Sequence, residues 1–135
     1  MSNPHDYNQA IIAGFRANGG KIDSPNPLLL LTTTGAKSRQ PRTSPVVYSI
    51  DGNHLVIVAS KGGGPTNPDW YHNLLAHPLV TVELGDERFQ ARATVAQGPE
   101  RERLYAQHAA LMPGFAEYQR KTARQIPVVL LDRIE

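Results

Sequence analysis

The 135-residue sequence contains no cysteine and no long apolar run. Without cysteine, the chain can form neither a disulfide bond nor a thiolate nucleophile nor a metal site with sulfur ligands. A membrane-spanning helix needs roughly 18 consecutive apolar residues, and no segment of this chain approaches that length. The N-terminal stretch MSNPHDYNQ also lacks the apolar core of a signal peptide. We therefore expect a cytoplasmic protein without a membrane span, which leaves peripheral contact with a membrane open.

Net charge is also small. The 14 lysines and arginines and the 12 acidic residues give a formal net charge of +2, whereas a duplex-binding domain normally has a pronounced basic face. The aromatic residues form no stacking series on adjacent predicted strands, which also argues against a nucleic-acid partner. The five histidines occur in no HExxH or HxH pattern and in no cluster with carboxylates, so no metal site is predicted.

The hydrophobic pattern predicts one domain over residues 1–135, built from six strands and about four helices. The predicted strands cover residues 28–34, 43–50, 54–60, 79–84, 88–95 and 126–134. The predicted helices cover residues 7–18, 67–77, 99 to the break at Pro113, and about 115–122. Residues 1–20 thus form an N-terminal helix or lid, which either packs on the edge of the domain or gates a site.

Two turn signals decide the predicted sheet topology. Asp51-Gly52-Asn53 and Gly85-Asp86 each separate two β-rich runs, a pattern typical of tight antiparallel hairpins. Most other connections are too short for repeated βαβ crossovers. The sequence therefore predicts an α+β, mainly β fold, in which a barrel of about six mostly antiparallel strands is surrounded by peripheral helices.

Several residues carry more local predictions. Asn67 is expected to cap the second helix. Leu104, His108 and Leu111 mark the buried side of the third helix, with His108 half-buried in the core. Pro45 is expected at a sheet edge or a bulge, because proline cannot donate a hydrogen bond to a neighbouring strand.

Two glycine turns with basic residues carry the strongest functional signal. One follows the first strand and holds Gly35, Lys37, Arg39 and Arg42, and the other follows the third strand and holds Lys61 within SKGGG. No acidic residue occurs between positions 28 and 50. Backbone N–H groups of such turns bind anions, and lysine or arginine supplies a full charge. We predict that the two loops jointly hold an anion, against the alternative that the cations are simply solvated.

Other candidate chemistry is weaker. Ser60 with His72 would suggest a hydrolase, yet no GxSxG motif surrounds Ser60 and no oriented base is identifiable. Neither basic turn matches the P-loop or dinucleotide fingerprint. Four aromatic residues near these turns suit either core packing or a flat anionic ligand: Trp70, Tyr71, Phe115 and Tyr118. An organic cofactor would supply the reactivity that these side chains lack.

Three separated motifs resemble, in order, those of the deazaflavin (F-420)-dependent nitroreductase family. They are LLLLTTTGAKSRQPRTSPVVY, VASKGGGPTNPDWYHNLLAHPLVTVE and FAEYQRKTARQIPVVLL, and the resemblance covers about residues 27–132. It implies a split β-barrel of the FMN-binding, flavin-reductase-like type. It also implies coenzyme F-420, an 8-hydroxy-5-deazaflavin whose phosphate and oligoglutamate tail are anionic, as the partner of the basic turns.

The resemblance also implies roles for individual residues. The phosphate and tail would be held by Ala36, Lys37, Ser38 and Arg42. The deazaflavin would lie along Thr43, Ser44, Pro45, Val46 and Val47. The ring and ribityl site would be completed by Val58, Ala59, Ser60, Lys61, Asp69, Trp70, Tyr71, His72 and Asn73. Tyr118 would close the substrate side. Family members often carry a basic residue near Thr66, and its absence here leaves one tail contact without a candidate.

The reaction implied is hydride transfer from C5 of the reduced deazaflavin to a quinone, a nitroaromatic compound or another electron-poor acceptor. The proton would come from Tyr118, Ser60 or water. Two alternatives stay open at this point: an FMN-dependent reductase on the same barrel, and a deazaflavin or flavin carrier that catalyses little. The sequence does not decide whether the chain forms a homodimer.

Overall fold

A computed structural model of the protein describes residues 4–21 and 26–134, without the side chains of residues 4–7. The helices are α1 (Pro4–Ala17), α2 (Asp69–Ala76), α3 (Gly98–Leu111) and α4 (Gly114–Lys121), with one 3-10 turn at Lys61–Gly63. The strands are β1 (Leu28–Thr34), β2 (Pro41–Asp51), β3 (His54–Val58), β4 (Leu79–Leu84), β5 (Glu87–Val95) and β6 (Val128–Arg133). No helix in these two ranges is long and apolar enough to cross a membrane.

The six strands form a closed barrel in the order β1-β2-β3-β6-β5-β4, and every neighbouring pair is antiparallel. The two predicted hairpins are present, with Asp51 opposite His54 and Leu84 opposite Glu87. Gly52 and Gly85 supply the left-handed backbone of these turns, at φ angles of 59° and 60°. The predicted fold class is therefore confirmed.

Strand β1 explains why its sequence is a continuous apolar run. Leu29 and Leu31 belong to the core inside the barrel, whereas Leu30 packs outside the barrel against Ile12 and Phe15 of α1. Because successive side chains of a strand point to opposite faces, a strand covered on both faces needs no polar alternation. The predicted N-terminal helix is thus docked on the barrel through its apolar face.

An ion pair also ties α1 to the barrel. Arg16 donates two hydrogen bonds to the carboxylate of Glu83 on β4, from Nε at 3.0 Å and from Nη2 at 2.9 Å. The Arg16 guanidinium holds the pKa of Glu83 below its ordinary value. The position of α1 matters for function because two of its residues line the candidate site described below.

Two local predictions are wrong, and each has a physical reason. Asn67 does not cap α2, because its side-chain oxygen accepts a hydrogen bond from Arg124 at 2.6 Å and Pro68 occupies the N-cap position. Leu111 is 65% exposed. The chain turns out of α3 at this point, so that Met112, the C-cap residue, is buried in its place.

Of the two positions predicted for Pro45, a sheet edge or a bulge, the structure shows the edge. Pro45 lies inside β2 opposite Leu30 of β1, in a regular register without a bulge. Pairing with β3 begins only at Tyr48, so Pro45 occupies a part of β2 that pairs on one side in the described chain. This one-sided stretch, residues 41–47, borders the candidate site.

Candidate functional site

Two neighbouring clefts lie along residues 41–47 of β2. The first cleft has a volume of about 1000 Å³ and is lined mainly by polar residues of α1, the β1–β2 turn and α2. The second cleft has a volume of about 220 Å³ and is lined by the middle of β2, the 3-10 turn and α4. Trp70 borders both clefts, so a single elongated ligand could occupy the two together.

The β1–β2 turn is held in a compact form by its own hydrogen bonds. The Gly35 N–H donates to the Gln40 carbonyl at 2.8 Å, and the Arg39 N–H donates to the Gly35 carbonyl at 3.0 Å. The Ser38 hydroxyl accepts from the Gln40 N–H at 3.2 Å. A Cβ at Gly35 would lie 2.3 Å from the Ser38 Oγ, so a larger residue here would displace the Ser38 hydroxyl from the turn.

Asn73 joins this turn to α2. Its side-chain oxygen accepts a hydrogen bond from the Ala36 N–H at 2.9 Å, and its Nδ2 donates to the Thr33 hydroxyl at 3.1 Å. Asn73 is 8% exposed. Because its carbonyl and one amide N–H are already engaged, Asn73 supports the wall of the first cleft and keeps little hydrogen-bonding capacity for a ligand.

Among the described residues, the first cleft carries positive charge that no ion pair neutralises. Lys37 and Arg42 line it and are exposed, and no ion pair involves either residue in the part of the chain that the structure describes. Asp69 is the one carboxylate among the lining residues described. Two unpaired cations on a polar wall provide a site for an anion.

Lys61 does not share the first cleft with Lys37 and Arg42. It lines the second cleft instead, and its Nζ donates to the Thr66 hydroxyl at 3.1 Å. The structure therefore does not bring both basic turns to one cleft. Lys37 and Arg42 of the β1–β2 turn line the polar cleft, whereas Arg39 of the same turn lines neither cleft and Lys61 borders the neighbouring one.

The second cleft contains both residues predicted to donate a proton. Tyr118 on α4 and Ser60, just before the 3-10 turn, line it, and Phe115 packs edge-on against Tyr118 with a ring-centroid distance of 5.2 Å. Its apolar wall consists largely of Pro45, Val46, Val47 and Val58. Such a wall provides apolar contact for a planar group.

The other predicted site residues divide between the clefts and the core. The first cleft is lined by Ala36, Lys37, Ser38, Arg42, Thr43, Ser44, Asp69, Trp70, His72 and Asn73, and the second by Pro45, Val46, Val47, Val58, Ser60, Lys61, Trp70 and Tyr118. Ser60 and His72 thus line different clefts, which weakens the hydrolase interpretation. No group of three or more metal-binding side chains lies together within residues 4–21 and 26–134.

Two predicted residues line neither cleft. Ala59 is fully buried, its N–H donates to the Pro127 carbonyl at 2.9 Å, and its carbonyl accepts from Arg124 at 3.2 Å. Tyr71 packs against the core inside the barrel. Both residues lie in motif segments near the site. Only some side chains of such a segment face a ligand, because neighbouring side chains of a strand or helix point in different directions.

Several lining residues were missed by sequence reasoning. They are Asn8, Gln9, Thr33 and Pro41 in the first cleft and Pro68 in the second. Only the docking of α1 brings its two amide side chains to the cleft, so no local signal could reveal them. Three other lining residues lie in features that the sequence did indicate: Gly35 and Gly62 in the two basic turns, and Phe115 among the four aromatic residues considered for a flat ligand.

A buried histidine lies behind the second cleft. His108 is fully buried, its Nδ1 lies 2.7 Å from the Ser49 hydroxyl, and its Nε2 has no hydrogen-bond partner in the described chain. Its ring packs edge-on against Phe115 at a centroid distance of 4.4 Å. Burial lowers the pKa of His108 to about 4. The residue was predicted to be half-buried, and the packing of α4 over it completes its burial.

Comparison with known proteins identifies the family. Over 118 residues the chain is 45% identical to an F420H(2)-dependent quinone reductase of Mycobacterium tuberculosis, covering 85% of this chain and 79% of the relative. A solved structure described as an F420-H2 dependent reductase has 38% identity and a TM-score of 0.72, covering 83% of this chain and 100% of that one. Another solved structure, described as a domain-swapped dimer, has 36% identity and a TM-score of 0.74, and the match covers 96% of this chain and 100% of that one. Because residues 8–133 also match the family's sequence pattern, the chain belongs to the F420H(2)-dependent quinone reductase family.

Proposed function

We propose that this protein binds reduced coenzyme F-420 across the two clefts and catalyses the two-electron reduction of a quinone. The observation that carries the proposal is the adjacency of a cation-lined polar cleft and an apolar cleft that share Trp70. Coenzyme F-420 has the same division, with an anionic tail attached to a planar ring. The relatives' names supply the quinone as the acceptor class.

The residues of the first cleft fit the anionic part of this cofactor. Lys37 and Arg42 would bind the phosphate and tail through charge-assisted hydrogen bonds, with the backbone of residues 36–38 beside them. The Asp69 carboxylate would repel a phosphate, so the phosphate is expected near the two cations. Asp69 is instead suited to accept hydrogen bonds from the hydroxyl groups of the ribityl chain.

The second cleft fits the ring and the acceptor. Pro45 and Val47 of β2 provide apolar surface along the second cleft, and Val58 of β3 extends it, while Val46 between them packs in the core inside the barrel. When bound, the reduced deazaflavin supplies a hydride from C5, and replacement of flavin N5 by carbon favours two-electron over one-electron chemistry. The main task of the protein is therefore to orient two planar molecules and to exclude water.

The second cleft also provides candidate proton donors. Reduction of a quinone to a hydroquinone takes up one hydride and one proton in total, and the proton goes to the oxygen that is left with negative charge. The Tyr118 and Ser60 hydroxyls line the cleft in which this charge develops, and water is the third candidate. Lys61 borders the same cleft, where its ammonium group favours negative charge on the acceptor.

The finer assignments extend this proposal. Nitroaromatic and other electron-poor compounds are expected as further acceptors, because hydride transfer requires only an electron-poor centre near C5. A homodimer is supported by the structural relative described as a domain-swapped dimer. The cytoplasmic location and peripheral contact with a membrane stay predictions from the sequence.

A fluorescence titration with coenzyme F-420 tests the proposal. The Lys37→Ala/Arg42→Ala double variant should weaken binding by at least about 100-fold, since two charge-assisted hydrogen bonds of about 1.5–3 kcal/mol each are lost. Arg39→Ala is the matched control, because Arg39 lies on the same turn but does not line the first cleft. Equal affinity of the double variant and the control would refute the assignment of the anion site. Tighter binding of FMN than of F-420 by the wild-type protein would refute the cofactor assignment.

A further inference from the structure

Arg124, in the connection between α4 and β6, makes a set of contacts that the proposed reaction does not yet use. Its guanidinium donates to the carbonyls of Ala59 at 3.2 Å, Ser60 at 2.8 Å and Gly64 at 3.1 Å. It also donates to the Asn67 side-chain oxygen at 2.6 Å. One side chain thus spans residues 59–67, a segment about 60 positions away in the sequence.

The segment that Arg124 holds has little support of its own. Lys61, Gly62 and Gly63 have successive positive φ angles of 48°, 64° and 82°, and the 3-10 turn contains no buried residue. For lysine, this left-handed conformation is unfavourable. Two backbone hydrogen bonds close the turn, from Gly63 to Ser60 at 2.9 Å and from Gly64 to Lys61 at 3.1 Å. Contacts from outside the segment must therefore fix it.

The same segment lies directly against α4. A Cβ at Gly63 would lie 3.0 Å from the Tyr118 carbonyl and 3.1 Å from the Lys121 Cβ, which shows how closely the two walls approach. Ser60 and Lys61 on the segment and Tyr118 on α4 line the second cleft together. The spacing of these three side chains therefore depends on how the segment is held.

Arg124 is itself fixed in place. Its carbonyl accepts a hydrogen bond from Gln119 Nε2 at 2.8 Å, and its N–H donates to the Thr122 hydroxyl at 3.4 Å. No carboxylate forms an ion pair with Arg124 in the part of the chain that the structure describes. All four acceptors of its guanidinium are neutral, so its interactions are directional rather than a simple pairing of charges.

We infer that Arg124 is a positioning residue for the second cleft: its guanidinium clamps residues 59–67 against α4 and thereby sets Ser60 and Lys61 relative to Tyr118. This inference rests on the proposed function, because the second cleft is the site assigned to the ring and the acceptor. The anionic tail lies in the first cleft, so the clamp affects turnover more than affinity for the coenzyme. Small displacements of a reacting pair reduce rates strongly.

Two substitutions distinguish the hydrogen-bonding geometry of the Arg124 guanidinium from its positive charge. Arg124→Gln removes both, and Arg124→Lys keeps the charge but cannot make four divergent hydrogen bonds. Arg120→Gln is the control, because Arg120 on α4 is exposed and pairs with Glu117 on the same helix. Each protein is examined by F-420 titration, by steady-state kinetics with menadione as the probe quinone, and by hydrogen–deuterium exchange without coenzyme.

Arg124→Gln and Arg124→Lys should both accelerate amide exchange in residues 59–67 and leave residues 35–40 unchanged. We expect kcat/KM for menadione to fall roughly 10- to 100-fold, while the Kd for F-420 changes less than about threefold because Lys37 and Arg42 hold the tail. Arg120→Gln should match the wild-type protein in all three measurements.

Wild-type exchange in residues 59–67 together with wild-type kcat/KM in Arg124→Gln would overturn the inference. Full restoration by Arg124→Lys would also overturn it, because charge alone would then suffice. If neither Arg124 variant folds, Asn67→Ala removes one acceptor, and unchanged exchange and kinetics in that variant would contradict the clamp. A wild-type protein that fails to bind F-420 refutes the proposed function, and the exchange data then decide separately whether Arg124 holds the segment.

Discussion

Acid should destabilise this protein through His108. The ring is fully buried, the Ser49 hydroxyl lies 2.7 Å from Nδ1, and Nε2 has no partner in the described part of the chain. Protonation would place a charge in this apolar environment between α3 and α4 without a carboxylate to pair with it. Burial accordingly lowers the pKa of His108 from its ordinary value of 6.5 to about 4.

The sign and size of the effect follow from this pKa. As the pH falls below 6.5, the unfolded chain binds the proton while the folded protein does not, so the free energy of unfolding decreases until the pH reaches about 4. Above pH 6.5 the contribution of His108 to stability is complete. At about 1.4 kcal/mol per pH unit, the loss between pH 7.5 and pH 4.5 is about 2.5 kcal/mol.

The assay is urea unfolding, followed by the fluorescence of Trp70, at pH 7.5, 6.0 and 4.5. Carboxylates also titrate in this range, so the informative quantity is the difference between the wild-type protein and His108→Gln, whose side chain can still hydrogen-bond to Ser49. The wild-type protein should lose about 2.5 kcal/mol more than His108→Gln between pH 7.5 and pH 4.5. His72→Gln, at an exposed position, should behave like the wild-type protein. Equal losses in the wild-type protein and His108→Gln would refute the reasoning.

Three further outcomes are expected. Tyr118→Phe should reduce kcat about 100-fold with little change in the Kd for F-420 if this hydroxyl donates the proton, and wild-type turnover across quinone and nitroaromatic acceptors would assign the proton to another donor. Gly35→Ala should cost about 1 kcal/mol in urea unfolding and weaken F-420 binding, because the new Cβ displaces the Ser38 hydroxyl, only 2.3 Å away; unchanged affinity would contradict the role of this turn. Arg16→Gln should accelerate amide exchange in α1 while costing at most about 1 kcal/mol, because Arg16 is half-exposed; unchanged exchange would show that the ion pair with Glu83 does not hold the helix.

The family comparisons confirm the broad sequence-based predictions. Membership of the F420H(2)-dependent quinone reductase family agrees with the predicted F-420-dependent oxidoreductase, and the FMN alternative is not favoured. Three motifs spread over most of the chain carried this prediction. They contain the turn glycines, the cations and the helix start that the site uses, so the resemblance and the local chemistry pointed to the same segments.

The individual site residues show where motif reasoning stops. Lys37 and Lys61 both follow a strand in a glycine-containing turn, so the same role was predicted for both from the sequence. The structure separates them, since Lys37 lines the first cleft and Lys61 the second. Ala59 lies within a site motif but is fully buried. A motif identifies the segment near a ligand, whereas the direction of each side chain depends on strand register and on what packs behind it.

The sequence by itself determined the order and type of the secondary-structure elements. β1 was predicted over its full extent, and the two hairpin turns were placed correctly. These features depend on the alternation of apolar residues and on turn glycines, which are interactions between near neighbours along the chain.

Only the tertiary structure decided which distant residues share a wall. Asn8 and Gln9 reach the first cleft because α1 docks on Leu30, and Arg124 reaches residues 59–67 because α4 packs beside them. Such contacts depend on side-chain directions after the barrel has closed, and no local pattern encodes them. The division into a charged cleft and an apolar cleft is therefore a property of the folded barrel, while the residues that it uses were already visible in the sequence.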